Sequence, residues 1–77
     1  MPVERKKPDD PRIKFGRHLA ACRKGKGWSQ EKLSLESGVA RSYLGGVERG
    51  QRNIALLNIC RLAAALGVPP AKLMAFD

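Results

Sequence analysis

Glycine divides this chain into short pieces. The GKG triplet at residues 25–27, then Gly38, Gly50 and Gly67, each closes a stretch whose apolar residues recur at helical spacing. Glycine enters the left-handed conformation that ends a helix at little steric cost, so these positions read as stops. No long helix fits between them. The chain must therefore build its interior from several short amphipathic helices packed on one another.

The start signals agree. Asp10 before Pro11 has the form of an N-cap followed by proline at the first helical position, and Phe15, Leu19 and Cys22 then line one stripe. Ser29 is placed to cap a second helix, with Glu31 in its first turn and Leu33 pointing inward. Only a tight turn of two or three residues separates Gly38 from a third helix, and Val39, Leu44 and Val47 continue the apolar set. Asn53 is predicted to cap a fourth, in which Leu56, Ile59, Leu62, Ala63 and Leu66 recur every three or four residues, and Pro69 and Pro70 open a last short helix. β-Branched residues are sparse and nothing alternates in polarity over a useful length. The expectation is an all-α domain of five short helices over residues 10–77, preceded by a charged, proline-bearing arm at residues 1–9 that has too few apolar residues to order itself.

Charge narrows the function. Fifteen Lys and Arg against seven Asp and Glu leave a formal net charge of +8, which calls for a polyanionic partner, with nucleic acid as the first candidate. No segment approaches the ~20 apolar residues of a membrane span and the first residues lack the apolar core of a secretion signal, so a cytoplasmic protein with no membrane partner is expected. Cys22 and Cys60 form no CxxC pair, and a lone His18 cannot complete a zinc site; both cysteines read as reduced and no metal or other cofactor is expected. Neither a nucleophile with a base nor a carboxylate pair accompanies His18, which argues against an enzyme and leaves no reason to expect a small-molecule ligand.

Two short helices joined by a glycine turn in a strongly basic domain make the helix-turn-helix pattern. Counting from Gln30, apolar residues stand at Leu33, Val39, Leu44 and Val47, with small Ser34 where the two helices cross and Gly38 in the turn. The stretches "GWSQEKLS", "SGVARSYLGGVERG" and "LAAALGV" resemble the Cro and phage-repressor type of helix-turn-helix, the XRE family, over about Phe15 to Leu73. The resemblance implies a five-helix repressor-like domain, usually a homodimer, whose third helix enters the major groove of double-stranded DNA. It further implies a phosphate contact at Gln30 and a partly buried ion pair between Arg23 and Glu48, tying the first helix to the third.

Gly45 and Gly46 stand inside that third helix, where each costs about 1 kcal/mol relative to alanine. At about 100° per residue, with Leu44 and Val47 facing the core, they fall on the opposite side with Ser42 and Arg49, and Arg41 at the margin. The expectation is an outward face whose bare middle approaches bases closely at Gly45 and Gly46, while Arg41 and Ser42 read base edges at the helix start. Family members commonly carry larger polar residues at the two glycine positions. Tyr43, Arg49 and Arg52 are expected to contact phosphates alongside Gln30.

Leu73, Met74 and Phe76 crowd apolar surface into the last residues, and a dimer interface is their expected role. Two-fold pairing would place two third helices about 34 Å apart, matching a palindromic operator. The function expected is thus sequence-specific transcription regulation by a homodimer, as a repressor or a restriction-modification controller. The alternative is a basic protein that binds RNA or DNA without reading sequence, although the scattered aromatics Phe15, Trp28, Tyr43 and Phe76 form no stacking platform.

Overall fold

The computed structural model describes residues 10–77; the expected arm at residues 1–9 lies outside the described residues. Five helices follow one another: α1 (Pro11–Gly25), α2 (Gln30–Ser37), α3 (Arg41–Glu48), α4 (Leu56–Leu66) and α5 (Pro70–Leu73). No strand occurs among the described residues.

Local chemistry accounts for most of the boundaries. The Asp10 carboxylate accepts the Arg12 backbone N–H at 2.8 Å, and Ser29 Oγ accepts that of Lys32 at 3.0 Å, so α1 and α2 each begin on a side-chain cap. Gly38 ends α2 at φ 76°. The turn that follows is tied by its serines: Ser34 Oγ donates to the Val39 carbonyl at 2.6 Å, and the Val39 N–H donates to Ser37 Oγ at 3.2 Å. Gly50 is required twice over, by its φ of 75° and because a Cβ there would lie 2.9 Å from Cα of Ile13 on α1.

The start of α4 differs from expectation. Asn53 does not cap it; the helix begins at Leu56 behind Ala55, which offers no side-chain cap. Ile54 explains the delay, because it packs against the core from the loop before the helix begins. Leu56, one turn too early to face inward, is exposed instead.

One core holds the five helices together. Leu19, Leu33, Leu44, Leu62 and Leu73, one from each helix, are wholly buried, and Phe15, Val39, Val47, Ala63 and Leu66 surround them. Each large side chain removed from water in this way contributes about 1.5–3 kcal/mol. α1 packs on α3 and α5, α2 on α3 and α4, and α4 on α5.

Candidate nucleic-acid interface

α3 is held from its inner side. Leu44 and Val47 sink into the core, while Gly16 lets α1 approach so closely that an added Cβ would touch the Val47 carbonyl and stand 2.7 Å from that of Glu48. Gly16 lies outside the expectations drawn from the sequence. Its signal was the same as that of the glycine pair, a costly residue in mid-helix beside the apolar stripe.

Beside this contact lies a polar cluster. Arg23 donates through Nε to Glu48 Oε2 at 2.8 Å and through Nη2 to Oε1 at 3.0 Å, and its Nη1 reaches the Trp28 carbonyl at 2.7 Å. Gln30 Nε2 donates to the same carboxylate at 2.9 Å, so α1, α2 and α3 meet at Glu48. The hydrogen bond to Glu48 holds the Arg23 guanidinium above its ordinary range, against the opposing effect of burial. No buried side-chain N or O atom among the described residues lacks a partner. The Gln30 side-chain amide thus already donates to Glu48, while its backbone N–H stands at the start of α2.

The first turn of α3 is electrostatically open. Ala40 supplies no side-chain cap, no acidic residue occupies the turn, and Arg41 and Ser42 are exposed there. A cation at a helix N-terminus opposes the macrodipole at a cost of about 0.3–1 kcal/mol. Positive charge is thus gathered where the helix already presents unpaired backbone N–H groups, an arrangement that suits an anion.

The middle of α3 corrects the expectation of a bare face. Gly45 and Gly46 are both buried. An added Cβ at Gly45 would stand 3.1 Å from Arg49 Nη1 and 3.7 Å from Gln30 Oε1; at Gly46 it would stand 3.0 Å from Arg52 Cγ and 3.3 Å from its Nε. Helical azimuth points both glycines away from the core, but long arginine shafts reach across the gaps that the missing side chains leave. The backbone there is roofed rather than open.

Tyr43 anchors the loop after α3. Its hydroxyl accepts the Ala55 N–H at 3.4 Å, and Arg52 crosses its ring with the guanidinium carbon 5.6 Å from the centroid. Arg49 and Arg52 are exposed, and Arg49 Nε donates to Gln51 Oε1 at 3.1 Å. Lys26 and Lys32 flank the Trp28 ring at 4.8 and 5.4 Å near the start of α2, a basic cluster that the sequence reading did not single out.

The expected interface residues at the chain end separate. Leu73 is wholly buried in the core and offers nothing to a partner, because α5 turns it inward against α1 and α4. Phe76 is half-buried, edge-on to Phe15 with ring centroids 6.3 Å apart, and Met74 is exposed. Leu56 and Leu57 at the start of α4 join Met74 as exposed large apolar residues. No helix among the described residues is long and apolar enough to cross a membrane.

A family model described as helix-turn-helix matches residues 19–73. The chain is 42% identical over 74 residues to a protein of Neisseria meningitidis serogroup B named as a hypothetical transcription factor, covering 96% of this chain and 70% of that one. Among solved structures, it is similar to the restriction-modification controller protein C.AhdI from Aeromonas hydrophila, with 55% identity, a TM-score of 0.79, and 80% and 94% of the two chains covered. It is also similar to the restriction-modification controller C.Esp1396I, solved as a tetramer with its natural 35 base-pair operator, at 27% identity and a TM-score of 0.76, covering 82% and 83%.

Proposed function

The chain belongs to the helix-turn-helix family, and from that premise we propose that it acts as a homodimer on a palindromic operator, as a repressor or restriction-modification controller. It is a sequence-specific DNA-binding regulator and not an enzyme. The observation that carries the reading is the first turn of α3, where Arg41 and Ser42 are exposed at a helix N-terminus with no side-chain cap.

In this reading Arg41 donates to guanine O6 and N7 and Ser42 contacts the neighbouring base edge. Arg49, Arg52 and the Tyr43 edge meet phosphates, joined by the backbone N–H at Gln30. With Arg49 and Arg52 lying across Gly45 and Gly46, these arginines are the groups that first meet DNA there. Arg23 and Glu48 set the tilt of α3 without touching DNA.

The dimer surface we assign to Leu56, Leu57 and Met74, with the rim of Phe76, in place of a patch centred on Leu73. The naming of relatives as controllers, one of them a tetramer on its operator, supports assembly of several copies on one site here as well. Such a protein works on DNA in the cytoplasm. Selection of bound duplexes from a random pool tests the function: an inverted repeat with half-sites about 10 base pairs apart is expected, and equal recovery of all sequences would overturn it.

A further inference from the structure

The glycine pair leaves a question that base contact by bare backbone no longer answers. Two adjacent glycines weaken α3 by about 1 kcal/mol each, and neither has a positive φ that would demand glycine. What each has is an arginine lying where its side chain would be. Gly45 and Arg49 are one helical turn apart, so the Arg49 guanidinium folds back along the helix into the Gly45 gap. Gly46 and Tyr43 are likewise one turn apart, on the path that Arg52 takes from the loop back across α3.

We infer that Gly45 and Gly46 are positioning residues: their absent side chains are seats that hold Arg49 and Arg52 flat against α3 in the unbound protein, so that both guanidinium groups meet DNA already ordered. The seat at Gly46 is the more exacting. Three atoms of the Arg52 shaft, Cγ, Nε and Cδ, lie 3.0, 3.3 and 3.7 Å from the would-be Cβ, and the guanidinium beyond them lies over the Tyr43 ring. At 3.0 Å the shaft would have to give by a few tenths of an ångström, and because Cγ is close to the arginine backbone, that shift tilts the guanidinium beyond it relative to the ring. At Gly45 the conflict is with Nη1, the far end of the chain, which has more room to adjust. Ordering a long arginine on binding costs conformational entropy, and a chain already seated avoids much of that loss. Pairing by a fixed guanidinium also constrains which phosphate it reaches, and so the register of α3 along the groove.

The inference rests on the DNA-binding reading above, and the test separates the two. In the unbound protein, NMR of the Arg52 side-chain methylenes should show ring-current shifts from Tyr43; Gly46→Ala should reduce them and Gly46→Leu abolish them. Shifts unchanged in Gly46→Leu would remove the seat, whatever the protein does with DNA. On the selected operator, Gly46→Ala should weaken binding about three- to tenfold in the wild-type background and less than twofold in Arg52→Ala, because the arginine it disturbs is then gone. Equal losses in both backgrounds, or none in either, would overturn the positioning role. A wild-type protein that prefers no duplex would instead defeat the regulatory reading and leave the NMR result standing.

Discussion

Arg23 and Glu48 face each other across α1 and α3 as a doubly hydrogen-bonded pair whose side chains are only 9% and 6% exposed. A pair this dry stabilises little in total, since desolvation offsets most of the attraction, but losing one member strands the other. Glu48→Ala should cost about 3–5 kcal/mol by that argument, because it also orphans Gln30. Replacing both members, as Arg23→Met with Glu48→Leu, should recover only part of the loss, because Gln30 and the Trp28 carbonyl still lose their partners. Chemical denaturation of the two variants checks this, and a loss below about 1 kcal/mol for Glu48→Ala would mean that water still solvates the pair. Because the folded state raises Arg23, its contribution is complete at every pH below the ordinary arginine range and disappears only as pH climbs through the raised value. Stability from this residue should therefore not fall between neutral and mildly alkaline pH.

Gly16 and Gly25 lie on the same helix and differ in what surrounds them. At Gly16 the carbonyls of Val47 and Glu48 occupy the space of a Cβ, whereas nothing lies within 4 Å of one at Gly25. Gly16→Ala should destabilise by about 1–3 kcal/mol through overpacking, and Gly25→Ala should stabilise by about 0.4–1 kcal/mol. In a domain of this size each kcal/mol moves Tm by about 4–8 °C, so the two melts should shift in opposite directions. A shift of the same sign in both would show that helix propensity, not the α1–α3 contact, governs Gly16.

Arg41 and Arg52 are both exposed arginines, yet their surroundings assign them different work. Arg41 projects from the first turn of α3, and Arg52 lies along its side against Tyr43. Arg41→Ala should relax discrimination at one base position per half-site by about 1–3 kcal/mol. Arg52→Ala should weaken all duplexes alike and lower the salt slope of binding by about 1. Repeating the site selection with each variant distinguishes them, and an unchanged preferred sequence for Arg41→Ala would reassign the reader.

The sequence carried the helices where one residue decides the outcome locally. Ser29, Gly38 and Gly67 set boundaries through their own caps or left-handed backbone, and all three act as their types dictate. Asn53 has the right type to cap a helix, but the pull of Ile54 toward the core outweighs it, and no local rule weighs a neighbour's burial. Leu73 was misjudged for a related reason: an apolar residue near a chain end looks the same whether it closes the monomer or opens toward a partner. The helical wheel points Gly45 and Gly46 away from the core and is silent on their burial, because helical period records direction and not the reach of an arginine from the next turn or loop.

The reassigned dimer surface makes the last contrast. Leu57 and Leu73 are both apolar residues of the α4–α5 region, one 59% exposed and the other fully buried. Leu57→Lys removes nothing from the core, so the variant should keep its helical circular dichroism while sedimenting as a monomer. Its operator affinity should then fall by roughly 10²–10⁴, the advantage lost when two reading heads are no longer linked. Leu73→Ala should instead cost about 2–5 kcal/mol of folding stability by opening a cavity among five helices, with dimerisation lost only as the fold is lost. A dimeric Leu57→Lys would move the interface away from the start of α4, and exposed Leu35 on α2 would then be the next surface to substitute.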